Sequence, residues 1–337
     1  MSSSSSPAPA SDAASPTSNS QASILILAVA AFVIVTTEFL MVGLLPALAR
    51  DLAVSVSTAG QLVTLFAVVV MVFGPPLTAW LAHIERKRLF IAVVLLFAAS
   101  NALAAVAPNI WVLSLARIVP ALALPVFWGT ASETAAQMAG PARAGKAVSM
   151  VYLGISAAML LGIPLGTLAG DAIGWRGAFW ALAIMSLSIA LLLHVSMPTL
   201  KVGKRVAMAE QARILRDPTF VANVLLSVAV FTAMFTGYTY LAELLEKAAK
   251  VPSAQVGWWL MGFGAVGLIG NWLGGLWVDR KPLATTALFS MLLAAGMTAT
   301  VLLAQMQAAL AIALCVWGIA NTCLLYTSDA ADEGLGV

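Results

Sequence analysis

Two ionisable residues, Glu38 and Arg117, lie within long apolar stretches of the 337-residue chain. A charged side chain is costly in hydrocarbon, so each residue is a candidate for chemistry inside a membrane. Glu38 precedes Leu45, the predicted end of one apolar helix, by seven residues, and Arg117 follows Ile110, the predicted start of another, by seven residues. At about 1.5 Å per residue, both side chains are expected about 10 Å below the same surface. Equal depth permits a carboxylate–guanidinium pair if the two helices are neighbours.

Such a pair could couple protonation to a conformational change. A proton on Glu38 would release Arg117, whereas an ionised Glu38 would hold it, so a bound molecule could bias one state over the other. The alternative is a static buried salt bridge. Glu133 and Glu243 are weaker candidates because they lie at predicted helix ends, within reach of water.

A stripe of small residues marks the fifth apolar segment. Gly162, Gly166 and Gly170 recur every four residues, so they share one helix face and allow a second helix to approach closely. Pro164 removes one hydrogen bond of this helix, and the loosened turn must lie against protein or a wet cavity because lipid cannot replace the bond. We interpret these residues as a flexible seam that takes part in gating. The alternative is an ordinary packing face, since small residues are common at helix contacts in membranes.

Polar and aromatic side chains within the apolar segments are candidates for contact with a substrate. Aromatic rings with polar edges suit sugars or amphipathic drugs, and amides supply hydrogen bonds. The alternative roles are helix packing and membrane-interface anchoring. The candidates are Trp128, Tyr238, Tyr240, Asn101, Asn223 and Asn271.

The sequence offers no catalytic or metal-binding constellation. GxxxxGK[ST] does not occur, and Gly262, Gly264 and Gly267 spell GxGxxG inside an apolar helix, without the strand that a dinucleotide site needs. His83 and His194 are isolated from each other and from other metal-binding residues. We therefore expect neither an enzyme nor a cofactor or metal site. The 17 Lys and Arg form no basic face, which argues against a nucleic-acid partner.

The composition defines the elements that must position these residues. The chain is 61% hydrophobic and 9% charged, which indicates an all-α polytopic membrane protein. Apolar segments of the length that a bilayer core demands predict ten membrane helices. They lie near residues 24–45, 61–82, 89–107, 110–132, 147–168, 178–195, 220–242, 256–278, 283–303 and 308–325.

The longest polar connection divides the helices six to four and leads to a five-part organisation. The stretch from Leu324 onwards, LLYTSDAADEGLGV, carries three acids and has no spanning capacity, so we interpret the end of the chain as a non-native extension. The predicted parts are a disordered tail (1–22), a six-helix half (23–200), a cytoplasmic linker (201–217), an incomplete second half (218–325) and the non-native tail (326–337).

Loop charges predict a cytoplasmic N-terminus. In that orientation the inside loops carry twelve Lys and Arg and the outside loops four, a positive-inside asymmetry. The second helix of each half also ends in an acid followed by basic residues, Glu85 and Arg86 in the first half and Asp279 and Arg280 in the second. This repetition is expected of a transporter built from internal repeats, and we assign these four residues to gating. The alternative is ordinary charge at a cytoplasmic membrane surface.

Several longer motifs resemble the major facilitator superfamily, in its drug:proton antiporter branch, and most resemble bacterial sugar efflux transporters. The similarity extends over about residues 24–322. The motifs that support the similarity are TTEFLMVGLLPALARDL at 36–52, ERKRL at 85–89, ARIVPALALPVFW at 116–128, GIPLG and GWRGAFW within 162–180, YTYL at 238–241 and VWGIAN at 316–321. In one departure from the family pattern, Leu81 stands where the loop motif of the first half usually opens with glycine.

The resemblance implies a major facilitator fold of two six-helix repeats, the second truncated here after about four helices. It also implies proton-coupled efflux of sugars or small drug-like molecules by alternating access, in a bacterial inner membrane and as a monomer. Protons, a small molecule and the lipid bilayer would be the partners. The alternatives are a receptor or sensor on a transporter scaffold and a truncated inactive fragment, because two expected helices are missing.

Overall fold

The computed structural model describes residues 18–140, 143–200, 218–277 and 282–334, and the regular secondary structure in this part of the chain is all helical. Eight of its stretches are long and apolar enough to cross a membrane, and one of them, Ala144–Ser196, has 53 residues. A helix of that length extends about 80 Å, which is more than twice the thickness of a bilayer core. It is interrupted at Gly174, whose φ of 78° and ψ of 155° break the helix into two legs.

The first half of the chain forms six helices and one π-helical turn. Short polar caps begin several of them: Ser55 accepts a hydrogen bond from the backbone N–H of Thr58 at 3.0 Å, and Asn109 caps the fourth helix in the same way. The π turn, Ala158–Gly162, joins the fifth helix to the sixth. The helices are α1 (Ser18–Asp51), α2 (Val56–Leu81), α3 (Arg86–Ala105), α4 (Ile110–Ala139), α5 (Ala144–Ala157) and α6 (Ile163–Ser196).

The second half contributes five further helices. A break at Tyr240 separates α7 from the short α8, and the two together contain one membrane-length apolar stretch, Val224–Lys247. The helices are α7 (Pro218–Thr239), α8 (Leu241–Lys247), α9 (Ser253–Trp277), α10 (Pro282–Leu302) and α11 (Gln307–Gly334).

The two halves have separate cores. Buried residues between Ile24 and Met197 form one cluster, and those between Met234 and Leu324, joined by Val42 of α1, form another. Contacts between the halves run mainly through α6 with α9 and α1 with α8. This arrangement confirms the predicted all-helical membrane fold, and each of the ten predicted segments coincides with helical chain.

Both ends of the helical region extend beyond the sequence prediction. α1 begins at Ser18, inside the stretch predicted to be a disordered tail, and α11 continues to Gly334, through most of the predicted non-native tail. The prediction placed helix ends where apolarity ends, but a helix can continue into polar residues because its hydrogen bonds are internal. Residues 1–17 and the linker 201–217 lie outside the described residues.

Candidate functional site

Arg117 is anchored in the core of the first half by main-chain oxygens. Its two terminal nitrogens donate to the carbonyl oxygens of Thr37, at 2.9 Å, and Glu38, at 3.1 Å, and the side chain is only 2% exposed. Its Cζ atom lies 4.5 Å from the centre of the Phe66 ring, a cation–π contact from α2. α1 and α2 thus hold the guanidinium without a carboxylate.

The predicted carboxylate–guanidinium contact is absent from this conformation. No ion pair within the described chain joins Glu38 to Arg117, and Glu38 itself is half-buried. The prediction of similar depth was sound, because the guanidinium reaches the turn of α1 that carries Glu38. The predicted depth of the two residues could not show whether Arg117 would bind the carboxylate of Glu38 or its backbone carbonyl oxygen.

Asn101, predicted as a substrate contact, lies in this polar core. It is 1% exposed, and its Nδ2 donates to Thr37 Oγ1 at 3.1 Å. α1 is therefore tied to both α3 and α4 at Thr37, which fixes the backbone that Arg117 binds.

The glycine stripe of the fifth segment packs on α1. A Cβ atom added to Gly162, Gly166 or Gly170 would overlap the side chains of Thr36, Leu40 and Leu44, respectively. Each pair is separated by 126 residues (162 − 36, 166 − 40, 170 − 44), so the two helices run parallel in constant register.

Pro164 lies on a different face of the same helix, towards the second half. Proline has no N–H group, so the regular helical hydrogen-bond pattern is interrupted here. The backbone N–H of the preceding residue, Ile163, donates to the carbonyl oxygen of Ala158 and closes the π turn. Added Cβ atoms at Gly257 and Gly264 of α9 would lie 3.0 Å from the carbonyl oxygens of Pro164 and Met159. Gly264 and Gly267 of the GxGxxG match are therefore packing residues, whereas a Cβ atom at Gly262 would meet nothing within 4 Å. The irregular turn lies between the halves.

Charged residues cluster at the end of the bundle that carries Glu85, which we call the Glu85 end. Glu85 caps α3 by accepting from the backbone N–H groups of Lys87 and Arg88, at 3.0 and 3.1 Å. Arg86 is 3% exposed and donates to Glu133 Oε2 at 2.9 Å. Sequence reasoning treated Glu133 as a weak candidate for proton coupling and did not pair it with Arg86. Asp279 and Arg280, their proposed counterparts, lie outside the described residues.

The opposite end, which carries Asp51, joins the two halves and is called the Asp51 end. Arg50 of α1 forms an ion pair with Glu246 of α8, with an N–O distance of 2.8 Å. Beside it, Asp51 accepts hydrogen bonds from Trp175 Nε1, at 3.0 Å, and from Arg176. A cavity of about 410 Å³ lies here between α1 and α6 of the first half and α8 and α9 of the second.

Two of the predicted aromatic substrate contacts lie in different places. Tyr238 is buried, and its ring stacks on Phe263 with centroids 5.6 Å apart. Trp128 is half-buried between the rings of Phe127 and Tyr152, 5.1 and 6.0 Å away.

Tyr240 contacts the opposite half at the Asp51 end. A Cβ atom added to Gly60 of α2 would overlap its hydroxyl group. The side chains of Asn223 and Asn271 lie outside the described residues, although their helices are described.

A series of rings that the sequence did not reveal connects the halves. Phe39, the neighbour of Glu38, stacks on Phe235 of α7 with centroids 5.5 Å apart. From Phe235 the contacts continue through Tyr238 and Phe263 to Trp317 of α11. Only the helix to which each ring belongs could be predicted, because the series depends on how the helices pack.

Helices long and apolar enough to cross a membrane, arranged in two halves with separate cores, define the class of protein: a polytopic membrane protein of the two-repeat kind found among transporters. A sequence profile of the Major Facilitator Superfamily matches residues 27–332, and the chain belongs to that superfamily. The resemblance inferred from the motifs is thereby confirmed.

Curated relatives agree with this assignment. The inner membrane transport protein YdhP of Escherichia coli (strain K12) is 35% identical over 298 residues, which cover 88% of this chain and 77% of that protein. The uncharacterized MFS-type transporter YtbD of Bacillus subtilis (strain 168) is 34% identical over 269 residues, covering 80% and 67%. The chain is a multi-pass protein of an inner membrane.

Solved structures share the fold at low sequence identity. The inward-facing, unoccupied crystal structure of a bacterial homologue of the human lysosomal transporter Spinster matches with a TM-score of 0.79 and 17% identity, covering 93% of this chain and 75% of that one. A D-xylose–proton symporter matches with a TM-score of 0.66 and 16% identity, covering 91% and 81%.

Proposed function

We propose that this protein is a proton-coupled secondary transporter that exports a small molecule, a sugar or a drug-like compound, by alternating access. The observation that carries the proposal is the placement of Arg117. Its terminal nitrogens are bound by carbonyl oxygens, so the neighbouring Glu38 carboxylate has no ion-pair partner among the described residues. A half-buried carboxylate beside a fixed cation can exchange a proton without dismantling the core of its own half.

This geometry changes the proposed role of Arg117. In the sequence-based hypothesis, protonation of Glu38 released the guanidinium. In the structure-based proposal, Arg117 stays bound to the backbone of α1 while the neighbouring Glu38 exchanges a proton. Protonation then removes one negative charge close to Phe39, where the ring series enters the second half. The proton therefore changes the charge at a contact between the halves.

The contacts between the halves support the alternating-access part of the proposal. Arg50 with Glu246 and Tyr240 with Gly60 hold the two halves together at the Asp51 end. With the predicted cytoplasmic N-terminus, that end faces outward, so this conformation is closed to the outside. Opening it requires the halves to rock, and the glycine contact between α1 and α6 is the seam that must stay closed during this movement.

The test is proton flux in vesicles that contain the reconstituted 337-residue chain and a trapped pH-sensitive dye. Neutral glycosides and small aromatic compounds are supplied one at a time. We expect at least one compound to drive proton movement with the parent chain, and Glu38→Gln to abolish that movement while the protein still inserts. Glu243→Gln, which changes a carboxylate at a helix end, is the matched control.

Two results would contradict the proposal. Equal proton flux from the Glu38→Gln variant would remove Glu38 from the coupling step. Saturable binding without any flux from the parent would favour the receptor or sensor alternative.

A further inference from the structure

The cavity at the Asp51 end is bounded by both halves of the protein. α1 and α6 form one wall, and Glu246 of α8 with Ser253 and Val256 of α9 forms the other. Its volume of about 410 Å³ lies at the small end of the range for ligand sites, about 300–1,000 Å³. The cavity can therefore hold one small molecule, and that molecule would touch both halves at once.

One charged residue in the cavity wall is not neutralised by a neighbour. Three ion pairs of the described chain lie at this end: Arg50–Glu246, Asp51–Arg176 and Glu243–Lys247. Asp171 of α6 also lines the cavity, is exposed, and belongs to none of the ion pairs that the described residues form. The cavity therefore carries an uncompensated negative charge at Asp171.

The backbone makes this position costly for an acid. Asp171 lies three residues before Gly174, where a φ of 78° breaks α6 into two legs. The last turn of a helical leg has carbonyl groups without N–H partners and a partial negative charge, which disfavours a carboxylate. Asp51 lies at the start of the following leg, where it binds the side chains of Trp175 and Arg176. An unpaired acid at the negative end of a helical leg indicates a site for a positive charge.

A primary ammonium group fits these surroundings. It carries one positive charge and three N–H donors, and it has no acceptor. Asp171 and the carbonyl end of the leg supply acceptors, and Thr167 adds a hydroxyl oxygen whose hydrogen is already donated to the carbonyl oxygen of Ile163, at 2.8 Å. Leu44 and Val256 provide apolar contact for a short hydrocarbon body.

An organic cation fits the cavity better than a metal ion does. Within the described residues, no three His, Cys, Asp or Glu side chains are grouped closely enough to hold a metal. Two of the three carboxylates that line the cavity, those of Asp51 and Glu246, are already bound to arginines. A single unpaired carboxylate matches a single positive charge.

We propose that the cavity at the Asp51 end binds a small organic monoamine, with its ammonium group on Asp171. Because the two walls belong to different halves, the amine stabilises the conformation in which the halves are together at this end over the one in which they separate. Such a ligand inhibits rocking and is not itself carried across the membrane. This site is separate from Glu38, and its occupation requires no proton gradient.

The experiment measures thermal unfolding of the full chain in lipid nanodiscs at neutral pH with three probes. Phenethylamine, 2-phenylethanol and phenylacetate have similar aromatic bodies and carry an ammonium, a hydroxyl and a carboxylate group, respectively. We expect only phenethylamine to raise the melting temperature of the parent. Asp171→Asn should weaken its apparent affinity by about tenfold, as expected for the loss of a charge-assisted hydrogen bond.

Two controls separate recognition from surface charge and from folding. Glu243→Gln removes a negative charge at the same end but outside the cavity lining, and it should leave phenethylamine binding unchanged. Without ligand, Asp171→Asn should keep or raise the melting temperature, because it removes an unpaired acid from the end of a helical leg.

Spin labels test the conformational part of the proposal. Val106, which follows α3, and Met306, which precedes α11, are exposed residues of different halves. Labelled cysteines at these positions, in a variant without Cys315 and Cys323, report the distance between the halves at this end. Phenethylamine should increase the share of the short distance, and 2-phenylethanol should not.

Several outcomes would overturn the inference. The site is refuted by no stabilisation with phenethylamine, by equal stabilisation with 2-phenylethanol, or by equal affinities of the parent and Asp171→Asn. An equal loss of affinity in Glu243→Gln would show that surface charge alone attracts the amine. A lower melting temperature of ligand-free Asp171→Asn would show that the carboxylate has a structural partner, and unchanged spin-label distances would refute the inhibitory role. Since none of these measurements uses a pH gradient, their failure is distinguishable from failure of proton coupling at Glu38.

Discussion

The two halves place different residues at corresponding positions of their cores. In each half the eleventh residue of the helix that forms the second membrane segment, Phe66 in α2 and Phe263 in α9, lies against a side chain of the fourth membrane segment. In the first half that side chain is Arg117, which lies over the ring and binds carbonyl oxygens of α1. In the second half it is Trp317, which meets the ring edge to face and has an unpaired N–H group.

The difference shows how a repeated scaffold can place different chemical groups at equivalent positions. A cation whose terminal nitrogens are bound by the backbone gives the first half a buried charge beside Glu38. The second half has a neutral donor at this place, and its N–H group has no partner. The scaffold explains the equivalent packing, and the two side chains determine which half carries the buried charge.

The largest expected effect comes from Gly166→Leu, which tests whether the first half depends on its close helix contact. The new side chain would overlap Leu40 of α1, and overpacking of this kind costs about 2 kcal/mol. We expect a lower melting temperature and loss of substrate-dependent proton flux. Gly262→Leu in the second half is the control, because a Cβ atom there has nothing within 4 Å. Equal behaviour of the two variants would show that the seam has no special role.

Arg117→Leu removes the charge that distinguishes the halves. It forfeits two hydrogen bonds to main-chain oxygens and the contact with Phe66, for a net loss of about 2 kcal/mol because burying the charge also carried a cost. Chemical unfolding checks the stability, and vesicle assays should show no proton coupling. Parent-like flux from a folded Arg117→Leu protein would mean that Glu38 works without the cation.

Phe66→Leu sharpens the comparison by changing the ring and keeping the charge. Loss of the cation–π contact should cost about 1 kcal/mol and loosen the guanidinium, so the pH dependence of proton flux should shift. Phe263→Leu changes the equivalent ring where no cation is present, and its flux should keep the parent pH dependence. The same shift in both variants would indicate that the rings act only through packing.

The smallest stability effect is expected from Arg50→Gln at the contact between the halves. The side chains of the Arg50–Glu246 pair are 60% and 16% exposed, and such pairs contribute about 0.5 kcal/mol. The melting temperature should barely change, but labelling of a cysteine placed at Ser253, in the cavity behind the pair, should increase. Unchanged labelling would show that the ion pair does not hold this end closed.

The sequence predicted the helices well and the contacts between them less well. Long apolar runs predicted segments that coincide with helices of the described chain, and the four-residue spacing from Gly162 to Gly170 correctly indicated a close helix contact. The sequence could not name α1 as the partner, because that choice depends on chain topology. It also missed the pairing of Arg86 with Glu133, whose numbers are 47 apart but whose helix ends meet.

In the candidate site, too, the sequence indicated residues but not the contacts that they make. Residue type drew attention to Glu38 and Arg117, since charges within apolar helices are rare; their role in proton coupling stays a prediction. Residue type could not show that the guanidinium would bind backbone carbonyl oxygens, because every residue in the chain carries such an oxygen. Trp317 and Asn321 stood out only as part of the VWGIAN motif, since an unpaired atom becomes evident only when all its neighbours are placed.

The most direct test of the central claim is the infrared difference spectrum of the full chain in lipid between acidic and alkaline buffer. We claim that Glu38 exchanges a proton while Arg117 stays bound to the backbone of α1. The parent should therefore show a carboxylic acid band that is absent from Glu38→Gln, and the guanidinium bands should be the same in both buffers. Guanidinium bands that change together with the carboxyl band would show that the two groups form a switching pair, and would contradict the claim.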